Sequence, residues 1–367
     1  MQVCSHLKVR EFLKGGGTIV VRAFRAQTVE HRCASSLCRA NDPQRMSHVN
    51  EAITLAQART WVRAFTNRHS ENFSVLTMVL PKALHSDFAA VYAFCRVADD
   101  LADETGNTPE ARMRSLLLLR AFSQELFISV EEHAGTKSNE VKEGGGADKA
   151  KQWPHLFVAL SDTIQRHQLT LGLFTDLLDA FMHDQRVRRY ETWDQLIAYS
   201  AKSANPVGRL VLILGGHRPP REVAENAALF AASDHICTAL QLANFWQDPR
   251  RDFIERDRIY LPLRDMGRSE EQLGEWMEEE TPEARRMYAD ALRPLVDRTW
   301  GMFREGDAIF STLNPDLHLA VRLFAAGGKA ILRKIEAMDY RTLWARPRLG
   351  KIGKGLLIAR AVLGLRL

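Results

Sequence analysis

Four polar residues recur on one side of a predicted helix in the first third of the chain. The stretch Ala89–Glu104 contains neither Pro nor Gly and is rich in helix formers. Tyr92, Arg96, Asp99 and Asp103 are spaced i, i+4, i+7 and i+11, so they share one face of that helix. Two carboxylates one turn apart repel each other, and a divalent cation removes this repulsion. Because Mg²⁺ prefers carboxylate and phosphate oxygens, the stretch predicts either a site for Mg²⁺ and a diphosphate or a solvated acidic face.

A second stretch repeats this arrangement of oxygen-bearing side chains. It reads QLANFWQDPRRD, and its residues Gln241, Asn244, Asp248 and Asp252 are spaced i, i+3, i+7 and i+11. This spacing again predicts one helical face. Two such faces can hold a cluster of metal ions between two helices, and the pair of motifs is far more specific than either motif alone.

Further segments complete a resemblance to a known family. The chain resembles the squalene/phytoene synthase family of head-to-head prenyl transferases, whose first aspartate-rich motif and NxxxDxxxD motif match the two stretches. HSENF (His69–Phe73) resembles the segment that opens the family's diphosphate pocket. DRIYLP (Asp257–Pro262) resembles the signature that follows the second motif. The similarity runs from about Ala56 to about Leu343, which is most of the chain.

Within this family, three short segments resemble the bacterial hydroxysqualene synthase branch of hopanoid and squalene biosynthesis. They are ENF near the start, SANPVG (Ser203–Gly208) and NFWQD (Asn244–Asp248). Presqualene diphosphate synthases and phytoene synthases more usually carry VAG and NILRD in place of the last two. The resemblance therefore implies that presqualene diphosphate is the substrate and that water captures the rearranged carbocation.

The resemblance also implies a role for each residue of the two motifs. The implied Mg²⁺ ligands are Asp99, Asp103, Asn244, Asp248 and Asp252. The implied contacts to the diphosphate or to the prenyl chain are His69, Ser70, Asn72, Tyr92, Arg96 and Gln241. The implied catalytic residues are Asp99, Asp103, Asp248, Tyr92 and Arg96.

Arg96 has a rationale that does not depend on the resemblance. A guanidinium one turn from Asp99 can bind phosphate oxygens through two parallel hydrogen bonds. The alternative is an ion pair within the helix to Asp99 or Asp100, which contributes only tenths of a kcal/mol when exposed. The presence of both motifs favours the substrate role.

Two residues depart from the family pattern. Gln247 stands where many relatives carry Arg immediately before Asp248, so one cation for the diphosphate is expected to be missing. That loss favours an enzyme that only ionises a preformed presqualene diphosphate. Gln247 is then a candidate substrate contact and, together with Asn205, a candidate for positioning the water. Pro249 interrupts the second spacing and can kink its helix, which would move Asp252 off the common face.

A carbocation needs a dry pocket with aromatic faces, since aromatic rings stabilise a positive charge. The aromatic candidates are Phe73, Phe94, Phe245, Trp246 and Tyr190. Each of them is more simply explained as part of the hydrophobic core. Tyr190 is the best placed, because its segment RRYET resembles a family segment near the pocket.

Composition excludes several other classes of protein. The 367 residues carry a net charge of +5, and the excess of Lys and Arg lies at the two ends of the chain. The body between them therefore lacks the footprint of a nucleic-acid-binding protein. Five cysteines without a CxxC pair favour free thiols in a reducing, cytoplasmic setting and argue against a zinc site. No apolar run reaches the ~18–20 residues that a membrane-spanning helix needs.

Helical patterns follow one another from Ala56 onward, and no sustained alternation indicates a sheet. We predict one all-α domain over residues 46–345 that encloses a central cavity, and the resemblance implies the isoprenoid synthase fold. Residues 1–45 are expected to be disordered or to result from a misassigned start codon, and 131–152 to form a flexible surface loop. The helices expected after the first motif are 112–126, 156–167, 171–183, 193–214, 223–246, 282–304 and 317–338.

The C-terminal segment 346–367 combines apolar residues with Lys and Arg and contains no acidic residue. Such a segment suits a helix at an anionic membrane surface, which would bring the enzyme to lipid substrates. The alternative is a terminal helix that packs on the body of the protein.

Three other functions remain open at this level. A sister enzyme of the same fold would make presqualene diphosphate, squalene or phytoene. A catalytically silent helical scaffold is disfavoured, because the chain keeps all five oxygen ligands. A peripheral membrane-binding protein with merely solvated acidic faces would show no Mg²⁺-dependent binding of a prenyl diphosphate.

Overall fold

The computed structural model describes residues 53–69, 79–103, 106–135 and 153–362, and within these ranges the chain is built from α-helices joined by short connections. Three short 3₁₀ turns lie between them, at Lys82–Leu84, Ala224–Asn226 and Asp307–Ser311. The α-helices are α1 (Leu55–His69), α2 (His85–Asp103), α3 (Pro109–His133), α4 (Pro154–His167), α5 (Leu171–Asp184), α6 (Trp193–Ser203), α7 (Asn205–Leu214), α8 (Ala227–Gln247), α9 (Pro249–Arg256), α10 (Glu270–Glu278), α11 (Pro282–Gly306), α12 (Pro315–Ala337) and α13 (Lys351–Val362).

Local sequence explains where several helices begin. The Thr108 side chain caps α3 by accepting a hydrogen bond from the Ala111 amide, and Pro109 occupies the first turn. Thr281 and Pro282 start α11 in the same way. A threonine cap satisfies an amide that has no partner within the helix, and proline at the first turn loses no helical hydrogen bond.

The stretch 193–214, predicted as one helix, is two helices. Helix α6 ends at Ser203, Ala204 adopts φ −126° and ψ −47°, and α7 starts at Asn205. Pro206 has no amide hydrogen to donate to the preceding turn, so the helical hydrogen-bond ladder is interrupted there. The prediction of a continuous helix was therefore wrong, and the chain bends at SANPVG.

Other predicted boundaries also differ from the structure. Helix α3 continues to His133, so the first residues of the predicted loop 131–152 are helical. The preceding 3₁₀ turn delays the start of α8 to Ala227. Residues 136–152 and the predicted N-terminal extension 1–45 lie outside the described residues.

The C-terminal segment forms helix α13, which contacts α12. This contact agrees with the alternative of a terminal helix packed on the body, and membrane contact through the segment stays a prediction. Among the helices described, none combines the length and the apolar character needed to cross a membrane.

Helix α8 lies at the centre of the fold. It packs against α6, α7, α11 and α12, and its buried residues occur all around its circumference, as expected for a helix surrounded by protein. Glycines allow the close approach of two neighbours. A Cβ atom on Gly306 of α11 would lie 2.5 Å from Ile236, and one on Gly328 of α12 would lie 2.6 Å from Leu240.

An apolar cavity of about 130 Å³ lies between α2, α7, α8 and α12. Side chains from all four helices line it, among them Phe88, Val211, Leu240 and Phe324. The prediction of an all-α fold around a central cavity is therefore confirmed.

A buried ion cluster ties α2 to α4 beside this core. Asp87 is 2% exposed, and its carboxylate interacts with Arg166, with His167 Nε2 at 2.9 Å and with the Thr163 hydroxyl at 3.3 Å. Burial raises the pKa of Asp87, but the hydrogen bonds from His167 and Arg166 outweigh it and lower the pKa to about 2.

This cluster predicts a specific acid sensitivity. Because the pKa of Asp87 is 3.8 in the unfolded chain and about 2 in the folded protein, its stabilisation is complete above about pH 4 and is lost as the pH falls towards 2. Replacing Asp87 by Asn should lower the free energy of unfolding at pH 7 by about 2 kcal/mol and flatten its decline below pH 4. Chemical denaturation at a series of pH values measures both effects.

The matched control is Asp179→Asn, which removes an ion pair with Lys202 whose two side chains are each 52% exposed. An exposed pair contributes at most about 1 kcal/mol, so this variant should unfold almost like the wild type. Equal losses of stability in the two variants would contradict the role given to the buried cluster.

Candidate active site

The two sequence motifs face each other, and one arginine bridges them. The Arg256 guanidinium lies 3.2 Å from Asp103 Oδ2 in the first motif and 3.2 Å from Asp252 Oδ1 in the second. Asp103 stands at the C-terminal end of α2, whereas Asp252 and Arg256 lie one turn apart on α9. The fold therefore brings together carboxylates that are distant in sequence, as the paired motifs predicted.

The first motif carries crowded negative charge. Loss of hydration raises the pKa of Asp99, and the negative charge of Asp103 raises it further. Asp103 also accepts a hydrogen bond from Arg258 at 3.2 Å. Carboxylates that repel each other in this way are the arrangement that a divalent cation relieves.

The second motif is divided between two helices rather than carried on one face. Helix α8 ends at Gln247, Asp248 adopts a non-helical φ of −118°, and Pro249 begins α9. The expected kink at Pro249 is thus a complete break. The Asp252 amide still donates to the Asp248 carbonyl at 2.9 Å, so the two aspartates remain one turn apart. Both are almost fully buried, at 2% exposure for Asp248 and 1% for Asp252.

An arginine from the C-terminal segment completes this part of the site. Arg346 interacts with Asp248 through two hydrogen bonds, and its Nη2 lies 2.9 Å from Asp248 Oδ2. Beside it, the Gln247 amide donates to the Pro347 carbonyl at 2.7 Å. Although position 247 is Gln, a cation therefore stands next to Asp248, and it comes from 98 residues further along the chain.

Anchors on both sides hold the C-terminal segment in place. After α12, Asp339 and Tyr340 adopt the left-handed backbone conformation, with φ of 51° and 58°, and turn the chain back towards α11. The Thr342 hydroxyl is 2.8 Å from the Tyr288 hydroxyl, and the Trp344 indole donates to the Trp276 carbonyl at 2.6 Å. These contacts fix the approach of Arg346 to Asp248.

The donor set fits a hard divalent cation, because all five implied ligands carry oxygen and Arg256 bridges carboxylates of both motifs. In the structure, arginine side chains neutralise the negative charge of these carboxylates. Within the described ranges, no three Asp, Glu, His or Cys side chains converge at the spacing of a preformed metal site. The role of the five residues as metal ligands therefore stays a prediction.

The other residues predicted to contact the substrate lie in different surroundings. The Tyr92 hydroxyl donates to the His69 carbonyl at 3.4 Å, and Tyr92 also lines the apolar cavity. Arg96 forms the ion pairs within α2 that were the alternative to a substrate role, with Asp100 and with Asp99 at 3.4 Å. Two of the predicted contacts, Ser70 and Asn72, lie outside the described residues.

On α8, Asn244 is partly exposed, whereas Gln241 is only 3% exposed. No described residue forms a hydrogen bond with Gln241 Oε1. A buried amide oxygen without a partner is costly and indicates a ligand or a water molecule beside it.

The segments RRYET and DRIYLP lie side by side. The Tyr190 amide donates to the Ile259 carbonyl at 3.3 Å, and the Ile259 amide donates to the Arg188 carbonyl at 2.7 Å. This pairing directs Arg258, which is only 8% exposed, towards Asp103 and towards Asp184 at 3.7 Å. The pairing of these two segments thus places the buried Arg258 next to Asp103 of the first motif.

The aromatic candidates divide into core residues and residues near the site. Phe94 stacks on other core rings, and the Trp246 indole donates to Thr299 at 2.9 Å, so both are structural. Phe245 stacks on Tyr260 with 4.1 Å between ring centres, and Tyr190 stacks on the same ring at 5.4 Å. Phe73 lies outside the described residues.

The site residues missed from the sequence are Arg256, Arg258, Arg346 and Asp184. Arg256 carries a signal, because it follows Asp252 by four residues on a helix. Arg258 belongs to DRIYLP, and the resemblance of this segment to the family implied no role for the arginine. Arg346 carries no spacing signal, since only the folded chain brings it to Asp248.

This arrangement suits an amphiphilic ligand with an anionic head. Carboxylates of both motifs meet at Arg256, and Tyr92 and Cys95, which lie on the same helix as Asp99, line the apolar cavity. Metal ions and arginines can hold a diphosphate at the polar end, and the cavity can hold a hydrocarbon chain away from water.

The fold and the site together define an all-α isoprenoid synthase. A family model described as squalene/phytoene synthase matches residues 66–352, which is well over half of the chain. The chain therefore belongs to the squalene/phytoene synthase family.

Individual relatives come from more than one branch of this family. The chain is 34% identical to a hydroxysqualene synthase of Sinorhizobium fredii over 58% of its own length, and the match spans 63% of that relative, less than two thirds. It is 27% identical to a phytoene synthase of Thermus thermophilus, with 81% of this chain and 90% of the relative covered. The crystal structure of the squalene synthase HpnC from Alicyclobacillus acidocaldarius superposes with a TM-score of 0.62 at 32% identity, over 79% of this chain and 97% of that one.

The Arg346 contact predicts a stability effect that depends on ligands. Replacing Arg346 by Gln removes the cation that binds the buried Asp248 through two hydrogen bonds and leaves Arg251 at 3.9 Å, so the free energy of unfolding should fall by about 3 kcal/mol. Mg²⁺ together with pyrophosphate should restore part of this loss, because Mg²⁺ can balance the same carboxylate. Thermal unfolding with and without Mg²⁺ and pyrophosphate measures both effects.

Arg348→Gln is the matched control, since Arg348 is an exposed arginine two residues further along the same segment. It should unfold like the wild type under both conditions. If the two variants lost the same stability, or if Mg²⁺ and pyrophosphate shifted them equally, the pairing with Asp248 would not explain the effect.

Proposed function

We propose that this protein is a Mg²⁺-dependent hydroxysqualene synthase. It ionises presqualene diphosphate, and water captures the rearranged carbocation to give hydroxysqualene and diphosphate. The observation that carries this proposal is the meeting of the two acidic motifs, bridged by Arg256, at the end of α2, the helix whose Tyr92 and Cys95 line the apolar cavity.

Asp99, Asp103, Asn244, Asp248 and Asp252 would hold Mg²⁺, which when bound supplies the positive charge that stabilises the departing diphosphate. The chain's own cations contribute to the same end. Arg96 and Arg256 stand beside the carboxylates of the first motif, and Arg346 stands beside Asp248. Their guanidinium groups can turn from carboxylate to diphosphate oxygens when the substrate binds.

The apolar cavity would hold the prenyl chains and protect the carbocation. Its walls are almost entirely hydrocarbon, so few water molecules can compete for the cation. The stacked rings of Phe245 and Tyr260 lie on the chain segments that carry the second motif and DRIYLP. An aromatic face there can stabilise positive charge as the diphosphate leaves.

The position of Arg346 weakens one argument for a single-step reaction, in which the enzyme only ionises presqualene diphosphate. The glutamine at 247 suggested that a cation for the diphosphate is absent, whereas the structure places Arg346 next to the same aspartate. Support for water capture of presqualene diphosphate therefore comes from the segments ENF, SANPVG and NFWQD and from the hydroxysqualene synthase relatives. The main alternative is a sister enzyme that condenses two prenyl diphosphates, as the phytoene synthase relative would suggest.

A product assay tests the proposal. Purified protein with Mg²⁺ is given presqualene diphosphate and, separately, farnesyl diphosphate, without a nicotinamide cofactor. We expect hydroxysqualene from the first substrate and no product from the second. Asp248→Asn should lower turnover at least about 100-fold, because a ligand for the charge that stabilises the leaving group is lost.

Asp234→Asn is the control, since Asp234 lies on α8, which ends just before Asp248, and pairs with Arg209 of α7 rather than with the site. It should turn over presqualene diphosphate like the wild type. Turnover of farnesyl diphosphate would assign the protein to a sister branch while leaving the site intact. Absence of turnover with either substrate would favour a silent scaffold.

A further inference from the structure

Contacts between α6–α7 and α8 fix how these helices lie against each other. The Tyr199 ring lies 6.1 Å from the Phe245 ring, and the Thr238 hydroxyl donates to Asn205 Oδ1 at 2.9 Å. Residue numbers rise along α6–α7 as their partners' numbers fall along α8. The two segments therefore run antiparallel.

The next contact continues the same register. A Cβ atom on Gly208 would lie 2.5 Å from both the Ser233 hydroxyl and the Cys237 thiol, so the backbones approach closely there. Ser203 stands between the Tyr199 and Asn205 contacts. The register places it opposite Gln241, which stands between Thr238 and Phe245.

Ser203 and Gln241 each carry a buried polar atom that has no partner among the described residues. They are 4% and 3% exposed, and neither Ser203 Oγ nor Gln241 Oε1 forms a hydrogen bond with any part of the chain that the structure describes. A buried polar atom without a partner costs about 1–3 kcal/mol, which a bound water molecule removes. Two such atoms on facing helices provide a donor and an acceptor for one water.

Ser203 also lines the apolar cavity. A second serine lines it too, but the Ser233 hydroxyl lies beside the Cys237 thiol, where both face Gly208. The Ser200 and Tyr190 hydroxyls also lack a partner within the described ranges, but unlike Ser203 these two residues do not line the cavity.

Asn205 is bonded to Thr238 and Gln247 to Pro347. The hypothesis that Asn205 and Gln247 position the water stays a prediction, and it would require these two hydrogen bonds to be exchanged.

We infer that Ser203 and Gln241 hold the water molecule that captures the carbocation, an inference that rests on the proposed function. The carbon–oxygen bond of presqualene diphosphate breaks, and the diphosphate leaves with the bonding electron pair. After the cation rearranges, a lone pair of the held water forms the new carbon–oxygen bond. The surplus proton passes to the released diphosphate, which leaves a neutral alcohol.

The position of Ser203 also accounts for which of two products, an alcohol or a hydrocarbon, forms from the cation. Without a held water, the cation loses a proton to the diphosphate and becomes a hydrocarbon. With a water held by Ser203, addition precedes proton loss. The ratio of alcohol to hydrocarbon is therefore the property that Ser203 controls, as a positioning residue.

The test compares Ser203→Thr with Ser203→Val, two side chains of the same shape that differ in the hydroxyl. Each variant is given presqualene diphosphate and Mg²⁺ in H₂¹⁸O, and the products are measured by mass spectrometry. We expect Ser203→Thr to keep an ¹⁸O-labelled alcohol as its main product. In Ser203→Val the ratio of alcohol to hydrocarbon should fall about tenfold, the effect of one lost hydrogen bond.

Ser233→Ala is the matched control, because it removes a hydroxyl from the same cavity that lies beside the Cys237 thiol rather than opposite Gln241. It should keep the wild-type product ratio. If both β-branched variants were inactive because of their bulk, Ser203→Ala would decide, and it should show the same fall in the ratio.

Two negative results are distinguishable. If the wild type made no alcohol from presqualene diphosphate, the proposed function itself would fail. If the wild type made the alcohol and Ser203→Val and Ser203→Ala made it in the same ratio, the inference about Ser203 would be overturned. A matching fall in Ser233→Ala would also overturn it, since loss of any cavity hydroxyl would then suffice.

Discussion

The need to balance buried negative charge governs this structure. Asp184, Asp248 and Asp252 are each at most 5% exposed, and Asp103 lies beside them. Moving a carboxylate out of water costs several kcal/mol unless an opposite charge accompanies it. Arg256, Arg258 and Arg346 provide that charge, and each comes from a different position relative to the motifs: on α9, just after it, and in the C-terminal segment. Without these arginines, the carboxylates could not be held together in a ligand-free protein.

The helices make this charge balance possible, because they bring charged residues from distant segments to one site. Helix α8 is surrounded by apolar partners, which fixes its axis, and its break at Asp248 releases that aspartate from the helix. Proline is tolerated at the first turn of α9 because its missing amide hydrogen would have no helical partner there. Pro249, which interrupts the helix of the second motif, thus begins a new helix, and Asp252 and Arg256 pair on that helix.

Much of this was predictable from local sequence, and the reasons are physical. The face of Tyr92, Arg96, Asp99 and Asp103 follows from helical periodicity, and the all-α class follows from repeated helical patterns without alternation. The break after Ser203 was missed because apolar periodicity continues across Pro206. Arg346 was beyond reach for another reason, since its partnership depends on how α12 ends and on the left-handed pair Asp339 and Tyr340. Pairings between distant segments depend on the whole fold, and periodicity does not report them.

The pairing of Asp248 with Arg346 also sets an order of assembly. The two residues are 98 positions apart, and the helices between them must be packed before the guanidinium can reach the carboxylate. A chain that has been synthesised only as far as α11 therefore lacks the arginine that binds Asp248 through two hydrogen bonds. During synthesis the diphosphate end of the pocket would be finished last, so that an incomplete chain cannot hold its charged groups in the arrangement that ionisation requires.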